Sequence, residues 1–163
     1  MWILAVSYGV HLLATAVWLG SMALLLFLAG SAMRQGQVLA EPWRRWQRRA
    51  LLWGNGSLVL LLLSGFYQMT NDSNYSGFLV VDGVWAWAML LKHVAYAGVV
   101  AVAAAWQFWL LPAQERLGLL AESRPQLAQV EAEKLRRQER RLLWLNVGCG
   151  VAVLVLTAVI TAV

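Results

Sequence analysis

From Met1 to Gly30 the chain carries thirty residues without one charged side chain. A run of that length crosses a hydrocarbon core of about 30 Å as a helix rising about 1.5 Å per residue. The run also contains His11, and a histidine at membrane depth needs a hydrogen-bond partner or a metal. The stretch His11-Leu-Leu-Ala-Thr-Ala-Val-Trp18-Leu-Gly20 therefore holds both the architecture and the first candidate site.

Three further apolar runs follow. The second reads as a helix from about Ala50 to Thr70, the third from about Val84 to Leu111, closed by Pro112, and the fourth from Leu142 to about Val163. Hydrophobic residues make up 61% of the chain and charged residues 13%, gathered into a few patches, which excludes an ordinary soluble domain. The expected fold is all-α, a single integral membrane four-helix domain in up-down-up-down order. No Lys or Arg precedes the first run, so it reads as a retained helix rather than a signal peptide. A polar loop is expected from Ser31 to Gln47, with Trp43 and Trp46 among arginines at headgroup level, and a turn-rich loop at Asn71–Gly77. Beyond Glu115 the charges alternate in sign, and Glu133 lies four residues before Arg137. The segment from about 125 to 141 thus reads as a helical extension entering the fourth span. With Cys149 as the single cysteine, no intrachain disulfide is possible.

The net charge of +5 is a topological signal here, not a nucleic-acid footprint, because the basic residues flank the apolar runs. Of 13 Lys and Arg, Lys92 alone lies away from the first and third connections, and the second connection has Asp72 and Asp82 with no basic residue. The positive-inside rule then places the first and third connections in the cytoplasm and both termini outside.

In that topology the first and third helices run parallel. His11 lies nine residues past Trp2 and His93, the other histidine, eight past Trp85, so both sit about 12 to 13 Å along their helices. A short echo supports a two-fold arrangement: Arg48-Arg49-Ala50-Leu51-Leu52-Trp53-Gly54-Asn55 resembles Arg140-Arg141-Leu142-Leu143-Trp144-Leu145-Asn146.

Two histidines at one depth admit several readings. Haem b needs two imidazoles on facing helices and small neighbours; Ala14 and Thr15 lie by His11, Ala97, Ala101 and Ala104 on the His93 side, and Trp18 and Tyr96 offer packing surfaces. Copper would use the two histidines with thioether sulfur from Met89, Met69 or Met22. A pigment held by one histidine has little room beside Met89. Against all three stands the reading in which small residues only let helices pack closely. Lys92, well inside the third run, either meets a haem propionate, lines an ion path, serves as a ligand, or extends its stem to the surface.

His11-x6-Trp18-x-Gly20, Ser64-Gly65 late in the second helix, and Leu91-Lys92 in the third resemble the membrane domain of the CopD copper-resistance family. The related HemJ family, small membrane proteins implicated in protoporphyrinogen oxidation, is similar in its first-helix His and Trp, its size and its intramembrane Lys. The resemblance spans about Val6 to Leu111. The first family implies copper movement across the inner membrane, with His11 and His93 as candidates; the second implies haem b and oxidoreductase chemistry, with His11 and Lys92. The chain departs from the HemJ pattern at Phe27–Arg34, where that family has Leu-Pro-Arg-Leu and Tyr-His, and it lacks Met-rich segments outside the membrane.

No nucleotide-binding glycine loop, Cys-x-x-Cys or intramembrane carboxylate pair is present, so any redox chemistry must come from a bound cofactor. The expectation is an electron-transfer protein with one haem b between His11 and His93. Copper transport is the alternative, and a cofactor-free accessory subunit of a larger membrane complex the third reading.

Overall fold

In the computed structural model, residues 2–35, 41–73, 75, 77 and 82–163 are described. They form α1 (Trp2–Gln35), α2 (Glu41–Thr70), α3 (Gly83–Ala105), a π-helical turn (Trp106–Leu110), α4 (Leu111–Ser123) and α5 (Pro125–Ala162). Four stretches are long and apolar enough to cross a membrane: Trp2–Ala29, Arg44–Thr70, Gly83–Ala121 and Gln126–Ala162. The chain is a multi-pass, all-helical membrane bundle. Trp2, Thr70, Gly83 and Ala162 lie at one end, and most of the basic residues at the other.

The helices outrun the apolar segments that nucleate them. The expected first loop, Ser31–Gln47, is helical up to Gln35 and again from Glu41, and its middle, 36–40, lies outside the described residues, as do Asn74 and Ser76 of the second loop. Thirty-four residues make α1 about 50 Å long, against a hydrocarbon thickness of about 30 Å. Polar ends thus project beyond the bilayer, where water satisfies their side chains. Trp46 is exposed on the projecting part of α2 with the Arg49 guanidinium 5.8 Å from its ring centre; of the Trp43 side chain nothing is described.

Pro112 does not close the third helix. A proline removes the hydrogen bond to residue i−4 and pushes its ring against that carbonyl. Here the wider π turn at Trp106–Leu110 comes immediately before it, and Pro112 falls in the first turn of α4, where a missing N–H costs nothing. The rod therefore continues to Ser123, turns at Arg124, and returns as α5. Leu117, Ala128 and Ala132 bury the α4–α5 hairpin beyond the apolar region, and Glu133–Arg137 and Glu131–Lys134 pairs lace its surface as the sequence spacing implied.

Packing is tightest within two hairpins, α1 with α2 and α3 with α5. Lipid is as apolar as the side chains, so association rests on close packing and interhelical hydrogen bonds. Gly54 lets α2 approach α1, since a Cβ there would stand 2.9 Å from Ser21 Oγ, and Gly98 does the same for α3, with Cys149 Sγ at 2.9 Å. Ser21 has little freedom to retreat, being buried and donating to the Trp18 carbonyl at 2.8 Å. Gly54→Val is expected to cost about 2 kcal/mol in a detergent unfolding titration, and less in a Ser21→Ala background; equal costs in both backgrounds would contradict this packing.

Between the hairpins the core is layered. Nearest the basic end, Gln47 and Glu139 are buried and bonded, Gln47 Nε2 donating to Glu139 Oε1 at 2.9 Å, while Arg48 pairs with Glu115 at the surface. Next come Leu25, Ala29, Ala50, Leu51, Trp106, Leu110 and Leu143, then Trp18, Met22, Leu58 and Val99. Of the echo noted in the sequence, Asn55 and Asn146 line one cavity and Trp53 and Trp144 both face outward, but the leucines between them differ, Leu52 being exposed and Leu143 buried.

Candidate functional site

Toward the end that carries the termini, the seam between the hairpins is only partly filled. On α1 the inward stripe is buried at Ala14, Trp18, Met22, Leu25 and Ala29 but half-buried at Leu4, Ser7 and His11. On α5 no residue beyond Gly150 is buried. The candidate residues sit in this looser half.

His11 is fixed by α2. Its Nδ1 lies 2.9 Å from Ser64 Oγ, and that hydroxyl donates its own proton to the Leu60 carbonyl at 2.6 Å. Ser64 must then accept, so His11 carries its proton on Nδ1 and leaves Nε2 as a lone pair. Gly65 makes this approach possible, because a Cβ there would stand 3.3 Å from His11 Cε1. Ser7 and Gln68 extend the polar contact outward, Gln68 Nε2 donating to the Ser7 carbonyl at 3.1 Å. These α2 partners could be suspected from Ser64-Gly65, but no spacing in the sequence pairs them with His11.

His93 is fixed by its own helix. Nδ1 lies 2.8 Å from the Met89 carbonyl, which can only accept, so this ring too exposes an Nε2 lone pair. Among the described residues no hydrogen bond reaches Nε2 of either ring or joins the two rings.

Their neighbours fall into two groups. Ala88, Lys92, Val99 and Trp106 recur at helical spacing along the inward stripe of α3, and Lys92 is close enough to act electrostatically on His11. His93 lies one residue, about 100°, around the helix from Lys92. It shares a flank with Met89 and Tyr96, both half-buried. That flank faces α2, since Tyr96 Oη donates to the Leu58 carbonyl at 2.6 Å. Ala97, with Ala101 and Ala104, is exposed farther round the same side, and Ala14 is buried one turn below His11. Trp18 is no free surface: it is buried against Met22, Leu58 and Val99, and a Cβ on Gly150 would stand 3.0 Å from its ring.

Among the described residues no carboxylate pairs with Lys92, and no three His, Cys, Asp or Glu side chains converge as a metal-ion site. Met22 and Met69 are buried in the packing and Met89 is half-buried beside His93. The chain matches no family model, no curated protein and no solved structure.

Proposed function

We propose that this chain is a bacterial inner-membrane electron-transfer protein in whose looser half of the seam His11 and His93 would hold one haem b. One observation carries the reading. Each hairpin presents a histidine whose Nδ1–H is committed to an oxygen acceptor and whose Nε2 has no partner among the described residues. Histidines that ligate metals are held in this way, the second nitrogen donating to an oxygen that fixes tautomer and ring orientation.

The residues fit the group in three respects. At this level Leu4, Ser7, His11, Lys92 and His93 are only half-buried, whereas the seam below them is tightly packed. Gly65 and Ala14 keep bulk away from His11. Lys92, which has no carboxylate partner among the described residues, brings a cation to the site, suited to a propionate carboxylate, in a region where an unpaired charge is costly. When bound, haem b supplies a one-electron couple, and its reduction potential responds to axial ligation and burial. The chain's own contribution is to orient the two imidazoles, neutralise an acidic substituent through Lys92, and close the seam toward the basic end with Trp18 and Tyr96.

The distribution of Lys and Arg supports a reading with the basic end in the cytoplasm and this site near the outer face. The apolar outer surface meets lipid, and the exposed tryptophans at the basic end, Trp46, Trp109 and Trp144, suit a partner subunit of a larger membrane complex. Similarity to the HemJ pattern points to the same cofactor, and similarity to the CopD pattern to copper.

Metal analysis and a reduced-minus-oxidised absorption spectrum of the purified protein test the assignment. About one iron per chain with a b-type band is expected. Copper without that band would shift the function to copper handling, and neither would leave an accessory subunit.

A further inference from the structure

At the middle of the seam, below the candidate haem site, lies a cavity of about 30 Å³ to which every membrane-crossing rod contributes. Two of its walls carry buried polar atoms with no partner: the indole Nε1 of Trp106 and the side-chain oxygen Oδ1 of Asn146. Trp106 is 2% exposed, so lipid and bulk water do not reach its N–H. Leaving such groups unbonded in an apolar interior forfeits their hydration with nothing in return. A third wall carries Ser21 Oγ, whose proton is spent on the Trp18 carbonyl, which leaves a lone pair to accept.

The chemistry of the walls selects the occupant. It must accept from an indole N–H and donate to an amide oxygen. A bare cation cannot accept, a carboxylate cannot donate, an apolar molecule does neither, and a phosphate is too large and too highly charged for an apolar cavity of this volume. A cavity needs about 10 to 15 Å³ to hold a water molecule, and buried waters make about three hydrogen bonds. We propose that this cavity is a structural water site, in which one water accepts from Trp106 Nε1–H and donates to Asn146 Oδ1 and Ser21 Oγ. The π turn that starts at Trp106 belongs to the site, since such turns re-aim a side chain within a helix. The water joins α1 to the α3–α5 hairpin, so it ties the two halves of the bundle at a level where the sequence echo places Asn55 and Asn146 together.

The full chain, labelled with ¹⁵N-tryptophan and held in detergent micelles, tests this, Trp106→Phe identifying the Trp106 indole resonance. A cross-peak between that N–H and a long-lived water is expected in the wild type, and its loss is expected in Asn146→Leu. A wild-type Trp106 resonance without a water cross-peak would overturn the proposal, as would a cross-peak undiminished in Asn146→Leu. The wild-type spectrum decides even where the variant fails to fold, and because the site contains no haem ligand, the outcome is independent of haem content.

Discussion

Replacing His11 with alanine is expected to strip the purified protein of haem b, leaving iron at background while the helical circular dichroism is unchanged. His93→Ala is expected to leave a residual, spectrally altered haem or none, since the second axial bond is lost. Ser64→Ala is the more discriminating variant. It keeps the ligand and removes the acceptor that holds the Nδ1–H tautomer, so haem affinity is expected to fall about 10- to 100-fold, the range found when supporting hydrogen bonds of metal ligands are removed. Haem titration of each apoprotein provides the measurement. Full affinity in both His11→Ala and His93→Ala would remove the assignment.

The second large effect lies at the opposite end of the bundle. Within the candidate span Gln126–Ala162 the uncharged run begins only at Leu142, so Glu139 belongs to the charged turns that precede it, yet only 2% of the residue is exposed. Burial raises its carboxyl from an ordinary 4.5 to about 7, against the opposing effects of the Gln47 hydrogen bond and the nearby Arg136. Gln47 is fully buried and its Oε1 has no partner. A protonated Glu139 would supply the missing donor and close a two-bond acid–amide pair. The carboxyl binds its proton more tightly when folded, so its contribution to stability is fully present below pH 4.5, declines as pH rises through about 7, and is gone above. A shift of this size corresponds to about 3 kcal/mol. Glu139→Gln is expected to flatten the stability profile between pH 5 and pH 8, as read from thermal unfolding in detergent. A profile as steep as the wild type's would assign the pH dependence elsewhere.

Much of the architecture was legible in the residues themselves. Four apolar runs, only the third of them carrying a charge, at Lys92, gave four crossings, and the Glu133–Arg137 spacing gave the helical entry to the fourth. Helix ends were less legible, because hydropathy marks where a helix leaves the hydrocarbon, not where its backbone hydrogen bonds stop. The same limit explains Pro112, which looks like a terminator until the π turn before it is known. Of the candidate residues, the inward placement of His11 and Lys92 follows from helical spacing. The partners that set the imidazole tautomers do not: Ser64 is 53 residues from His11, and the choice between it and any other hydroxyl depends on how α2 rotates against α1. The polar layer of Gln47 and Glu139, 92 residues apart, was hidden for a similar reason. In sequence Glu139 is one more member of a charge-rich helix, and only the packing of α2 against α5 separates it from its exposed neighbours.

The most direct test of the central assignment is the electron paramagnetic resonance spectrum of the oxidised, purified protein. Two histidine ligands predict a low-spin ferric haem with the rhombic signal of bis-imidazole ligation, lost on replacing either His11 or His93. A high-spin ferric signal, a cupric signal, or the same low-spin signal in His93→Ala would contradict it.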